Sequence, residues 1–152
     1  MSHALDIHEA LRSNYLMQSL SERQIGEISA ITSVKEFNGG DTILRQFAKD
    51  NDLLIILEGK ARINGFSGEL IAEAQPGSVI GEISLIDDKP RSATVVAVGE
   101  TKIASIPNKD LWGLMNREPE IAKVLLLAIS RILAARLRAA NVVLDSVVER
   151  AD

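Results

Sequence analysis

A chain of 152 residues that is 46% hydrophobic but only 3% aromatic has material for one domain, its core built from Leu, Ile, Val and Ala without a large aromatic platform. The net charge of −4 speaks against nucleic acid as the main partner, because such binding rests on clustered Lys and Arg that displace counterions from phosphates. The absence of cysteine removes disulfides, iron–sulfur clusters, thiolate zinc sites and cysteine nucleophiles together, and with no secretory signal pattern and no bilayer-spanning apolar run the expected location is the cytoplasm.

From Leu5 to Ile31 the apolar residues fall at helical spacing (Leu5, Ile7, Leu11, then Leu20, Ile25, Ile28, Ile31), and Ser21 precedes Gln24 with capping-box spacing. This predicts two short amphipathic helices with a break near residues 14–19. His3 and His8 read as residues of a solvated helix face rather than a metal pair.

Between Thr32 and Pro107 the texture becomes β-branched runs, such as Asp52 to Leu57 and Ala93 to Val98, punctuated by glycines at 39, 40, 59, 65, 68, 77, 81 and 99. Turn signals about every eight to twelve residues suit an antiparallel sandwich or barrel. Glu58-Gly59 between two strand-like runs predicts a hairpin. No histidine occurs in this region, so a metal enzyme built on a similar roll would lack its ligands.

Asn108 reads as an N-cap for a short helix carrying Leu111, Trp112, Leu114 and Met115, with Trp112 a core residue. Pro119 stands where a proline starts a helix, and no proline or glycine interrupts the chain from Glu120 to Asp152. Two apolar stripes run along that helix: Leu126, Ile129, Leu133, Leu137, Ala140, Leu144 and Val147, and then Val124, Leu125, Ala128, Ile132, Ala135, Ala139 and Val142. Its own roll can cover one; the same helix of a second subunit is the natural cover for the other, which predicts a two-fold homodimer. The expected organisation is one domain over 1–152, with N-terminal helices in 1–31, a β-roll in 32–107 and C-terminal helices in 108–152.

The chemistry concentrates in Gly81-Glu82-Ile83-Ser84-Leu85-Ile86-Asp87-Asp88-Lys89-Pro90-Arg91-Ser92-Ala93-Thr94, inserted between two strand-like runs. Gly81 permits a tight strand exit, and residues 82–87 can form a short helix whose first amides and dipole favour negative charge. Pro90 keeps Lys89 out of the α region and returns the chain to extended form before Arg91. The planar fork of Arg91 can hold two phosphate oxygens, Ser92 adds a hydroxyl donor, and Glu82 can accept from a sugar hydroxyl. Donors for phosphate beside an acceptor for ribose describe a nucleotide. Paired catalytic carboxylates at Asp87 and Asp88 are the weaker reading, since both sit in a turn beside a lysine.

This segment resembles the phosphate-binding cassette of cyclic-nucleotide-binding domains, the family of the bacterial catabolite activator protein and the regulatory subunit of cAMP-dependent protein kinase. The resemblance extends to Phe37-Asn38-Gly39-Gly40-Asp41-Thr42-Ile43, to Leu54-Ile55-Ile56-Leu57-Glu58-Gly59, to Pro76-Gly77 and to the helix at Pro119. It departs at Leu44 to Asp50, where many members carry a glycine-containing turn. The fold it implies is α+β: an antiparallel β-roll of jelly-roll barrel type flanked by N-terminal helices and a long C-terminal helix.

For the site, the resemblance implies Arg91 and Ser92 on the cyclic phosphate, Glu82 on the ribose 2′-hydroxyl, and a binding surface that takes in Gly81, Ile83, Ser84 and Ala93. It brings Arg131, Ile132, Arg136 and Leu137 of the last helix toward ribose and purine. A guanidinium at Arg136 can stack on the purine; a solvated helix residue is the alternative. Ser92, where cGMP-selective members often carry threonine, tilts the ligand toward cAMP, with cGMP as the other choice. No metal or other cofactor is implied. The function that follows is a non-catalytic sensor that passes the binding of a cyclic mononucleotide through its C-terminal helix to another protein, with no direct contact to DNA or membrane. The competing reading is a dimeric interaction module whose ligand site is vestigial. Since the sequence stops at Asp152, where transcription factors of this family continue into a helix-turn-helix domain, the output is expected to lie in a partner or in a longer chain.

Overall fold

The computed structural model of the protein describes residues 7–45, 51–65, 67–87, 91 and 93–151. Two short helices open it, α1 (Ile7–Arg12) and α2 (Glu22–Ala30). The Ser21 hydroxyl accepts from the Gln24 amide while the Gln24 side chain accepts from the Ser21 amide, so the capping box forms as its spacing suggests. The His8 ring pairs with Glu22 at 2.7 Å. His3 lies outside the described residues.

Eight strands follow among the described residues: β1 (Ser33–Phe37), β2 (Thr42–Leu44), β3 (Leu53–Glu58), β4 (Ala61–Asn64), β5 (Leu70–Ala74), β6 (Val79–Ile80), β7 (Thr94–Ala97) and β8 (Thr101–Ile106). They form two four-stranded antiparallel sheets, ordered β1-β8-β3-β6 and β2-β7-β4-β5. The roll is thus open between two sheets rather than closed into a barrel.

Strand β3 shows why the layers stack as they do. Its residues alternate between two apolar clusters. Leu54 and Ile56 meet Leu44, Ala61, Ala74 and Val95 of the other sheet, whereas Leu53 and Ile55 join a second cluster with Leu11, Ile25, Leu111, Leu125 and Ile129 from the helices. Strand β3 is therefore buried on both faces from Leu53 to Ile56, which explains its continuous apolar run.

Two local expectations are corrected. The chain does not make a hairpin at Glu58-Gly59: β3 and β4 belong to different sheets, and Gly59 carries the chain from one to the other. At φ +84° its Cα lies against the β8 entrance, where an added Cβ would stand 2.3 Å from the Glu100 carbonyl oxygen. Asn108 is not an N-cap either. The cap position of α4 (Asn108–Arg117) is Pro107, without a side-chain cap, and the Asn108 amide donates to the Asp52 carboxylate at 3.3 Å.

After α4 comes α5 (Pro119–Ala151), 33 residues without interruption and, at about 1.5 Å per residue, roughly 50 Å long. Its first half is anchored by Ile121, Leu125 and Ile129, all buried. Its second half stands away from the core, with Leu137, Val142, Val143, Leu144, Val147 and Val148 all more than half exposed. Among the described residues no helix is long and apolar enough to cross a membrane.

The Gly59 crossover generates a stability prediction. Gly59→Ala adds both a left-handed backbone cost and a collision with β8 backbone, so urea denaturation should show a loss of about 2 kcal/mol or more. An unchanged midpoint would mean that the crossover is not constrained as described.

Candidate functional site

Strand β6 delivers the chain to Gly81, whose φ of +91° turns it into α3 (Glu82–Asp87). The first helical hydrogen bond runs from the Leu85 amide to the Gly81 carbonyl at 3.1 Å, so the amides of Glu82, Ile83 and Ser84 precede it and have no acceptor within the helix. The expected short helix over 82–87 is therefore present at its expected bounds.

Gly81 is needed for space as well as for conformation. An added Cβ would stand 2.2 Å from Nη1 of Arg91 and 2.9 Å from the Asp52 carbonyl oxygen. The guanidinium thus lies directly on the Gly81 backbone, and its Nη2 donates to that carbonyl at 2.7 Å. Arg91 is only 3% exposed. The same Asp52 offers its carboxylate to the α4 N-terminus, so one residue ties Arg91 to the start of the C-terminal helices.

These residues surround a cavity of about 150 Å³. Leu44, Ile63, Ile80 and Val95 give it apolar walls from both sheets; Glu82, Ser84, Arg91 and Arg136 are its polar contributors, and Gly81, Ile83 and Ala93 complete the cassette side. Among the described residues the charged groups of the lining are the guanidiniums of Arg91 and Arg136 and the carboxylate of Glu82. Glu82 is 5% exposed as a residue, and its carboxylate accepts from the Arg136 guanidinium, which reaches in from α5.

Of the residues singled out by sequence, Gly81, Glu82, Ile83, Ser84, Arg91, Ala93 and Arg136 meet at this one cavity. Arg131 is exposed on α5 and does not line it. Ser92, with Asp88, Lys89 and Pro90, lies outside the described residues, as do residues 46–50 of the departing turn. Trp112 packs against the helical core and also donates from Nε1 to the Leu85 carbonyl at 3.0 Å, fastening α4 to the end of α3.

Three contributors escaped the sequence reading. Asp52 acts on Arg91 through its backbone carbonyl, which any residue could supply. Asn14 donates to the Gly77 carbonyl at 3.0 Å and accepts from the Leu16 amide, clamping the N-terminal segment onto the turn before β6. Next to it Tyr15 hydrogen-bonds to the Val79 backbone; burial pushes its phenol up from the ordinary tyrosine range and the Glu82 charge adds to this, while Arg136 and the hydrogen bond pull the other way. Only its position next to an asparagine between two helices could have drawn attention to it.

The arrangement can hold a small anion with a neutral, hydroxyl-bearing part. Among the described residues no group of three or more potential metal ligands occurs, and the cavity lining carries no histidine to activate the Ser84 hydroxyl.

Comparison with known proteins agrees with this geometry. The cyclic AMP receptor protein of Thermus thermophilus is 28% identical over 139 residues, covering 89% of this chain and 62% of that protein. A cAMP-dependent protein kinase regulatory subunit of Mycosarcoma maydis is 29% identical over 94 residues, or 60% of this chain and 18% of that one. The chain thus spans less than two thirds of either relative. The N-terminal domain of a transcriptional regulator from Streptomyces coelicolor superimposes with a TM-score of 0.74 at 32% identity, covering 86% of this chain and 94% of that domain. The profile of the cyclic nucleotide-binding domain matches residues 34–118, from β1 to the end of α4 and more than half of the sequence. With Gly81, Glu82 and Arg91 inside that match, the chain belongs to the cyclic nucleotide-binding domain family.

Proposed function

We propose that the protein is a non-catalytic sensor of a cyclic mononucleotide, cAMP in preference to cGMP, and that it passes binding through α5 to a separate protein. The observation that carries this reading is the convergence of two buried ionic side chains, Glu82 and Arg91, on one cavity. A guanidinium suits the negative charge of a cyclic phosphodiester, and a carboxylate suits a sugar hydroxyl. Arg91 would hold the phosphate with Ser92, the first-turn amides of α3 would assist, and Glu82 would accept from the ribose 2′-hydroxyl. The apolar walls from Leu44 to Val95 suit the sugar ring and part of the base.

A route for the signal is supported by hydrogen bonds on either side of the cassette. Trp112 links α3 to α4 at the Leu85 carbonyl, and Asp52 links Arg91 to the α4 N-terminus. Any shift of α3 on binding would be felt at α4, which leads directly into α5. A cysteine-free chain suits the reducing cytoplasm, where we place the protein. The preference for cAMP rests on Ser92 alone.

We further propose that α5 pairs with α5 of a second copy. Leu137 and Leu144, seven residues apart, are 62% and 59% exposed, and Val142, Val143, Val147 and Val148 continue the apolar surface. So much apolar area on one projecting helix is costly in water and fits a self-complementary two-fold contact. Sedimentation equilibrium should give twice the chain mass, falling to one chain when Leu137 and Leu144 are both replaced by Glu. A wild-type monomer at tens of micromolar would reject the dimer.

Binding itself is tested by thermal unfolding with added cAMP. At about a hundredfold excess over the dissociation constant a bound ligand adds roughly 2.7 kcal/mol of stability. Arg91→Ala should fold yet lose affinity about thirtyfold or more, because truncating a desolvated charged partner costs roughly 2–5 kcal/mol. A wild type that cAMP does not stabilise would favour the interaction module with a vestigial site. Glu82→Ala should bind cAMP and its 2′-deoxy analogue nearly alike, where the wild type prefers cAMP. A mutant that kept the full preference would remove Glu82 from the sugar.

A further inference from the structure

Glu82 is shut off from water, with a side chain only 6% exposed, and the group that compensates its charge comes from the far end of the chain: Nη1 of Arg136 bonds to its Oε1. A buried carboxylate is costly unless it is hydrogen-bonded, and a partner that bonds to it also fixes its orientation. Arg136 itself is 56% exposed, so it spans from the solvent side of α5 to the cavity. It stands one turn beyond Ile132 and Leu133, which still pack against the helical core, at the point where α5 leaves the body of the protein. Opposite it lies Tyr15, close enough for the Glu82 and Arg136 charges to act on its phenol. Glu82 therefore sits where the N-terminal segment, the cassette helix and α5 meet.

Stacking on the purine and a solvated side chain are the two roles that sequence suggests for Arg136. Its pairing with the Glu82 carboxylate in the cavity lining points to a third. We propose that Arg136 is a positioning residue for recognition of the sugar: it holds the Glu82 carboxylate fixed as an acceptor for the ribose 2′-hydroxyl, so that docking of α5 and reading of the ribose are one event. This rests on the reading of the cavity as a cyclic-nucleotide site. The consequence is selective. A ligand with a 2′-hydroxyl gains from the Arg136–Glu82 pair, and a ligand without one does not. Such a ligand also reinforces the contact that holds the distal half of α5.

Calorimetric affinities for cAMP and 2′-deoxy-cAMP, measured for the wild type, Arg136→Gln and Arg136→Lys, separate this role from the others. The wild type should prefer cAMP about tenfold or more. Arg136→Gln should weaken cAMP by about tenfold while leaving the 2′-deoxy analogue nearly unchanged, so that the preference collapses, and Arg136→Lys should keep most of it. Equal weakening of both ligands would assign the guanidinium to the base or to the fold and overturn the proposal, as would unchanged affinities. If the wild type bound neither ligand, the reading of the cavity would fail instead. The pair would then still be judged by hydrogen exchange in residues 134–145 of the ligand-free protein. Faster exchange in Arg136→Gln supports docking of α5 through Glu82, and identical exchange contradicts it.

Discussion

A guanidinium held almost entirely out of water constrains how this chain is put together. Arg91 lies on the bare backbone of Gly81 and donates to the carbonyl of Asp52, and each contact fixes something larger. The first requires a residue with no side chain, in a left-handed conformation, at the end of β6. The second requires β6 to run beside the start of β3, as it does in the register that pairs Leu54 with Ile80 and Ile55 with Val79. A charge at this depth is tolerable only where polar atoms meet it. In the proposed reading, the cavity formed by the two sheets and α3 is where an anionic ligand would reach it.

The rest of the molecule positions this cavity and connects it. Strand β3 carries apolar side chains on both faces and its neighbour β6 supplies Ile80 to the cavity, so the sheet that seats the helices also contributes to the wall of the site. Trp112 and Asp52 provide directional links from the cassette to α4, and Arg136 closes the circuit from α5 back to Glu82. Beyond that contact α5 is apolar and exposed on the outside. A helix fastened at the site and unpartnered beyond it is suited to report the state of the site to another surface.

Much of this was legible in the sequence because local rules operate at the residues concerned. Ser21 with Gln24 forms its capping box, Pro119 opens the last helix, and Gly81 and Glu82 begin the short helix of the cassette, since in each case the signal lies within a few residues of its effect. What escaped depends on distant partners. Glu58-Gly59 has the appearance of a hairpin, but whether a turn keeps the chain in one sheet or sends it to another is decided by Thr101 and Glu100 on the far side. Asp52 matters through a carbonyl and through an amide 56 residues away. The pairing of Arg136 with Glu82, 54 residues apart, follows from where a long helix crosses the roll, and periodicity locates the helix but not the crossing.

The central claim is that the Arg91 cavity selects a cyclic phosphodiester, and titration calorimetry with cAMP set against 5′-AMP tests it most directly. The open nucleotide carries the same base and sugar but a freely rotating phosphate with higher charge. The account predicts saturable binding of one cAMP per chain and binding of 5′-AMP weaker by about a hundredfold, a difference of roughly 2.7 kcal/mol. Equal affinity for the two nucleotides, or no saturable heat with cAMP up to millimolar concentration, would contradict it.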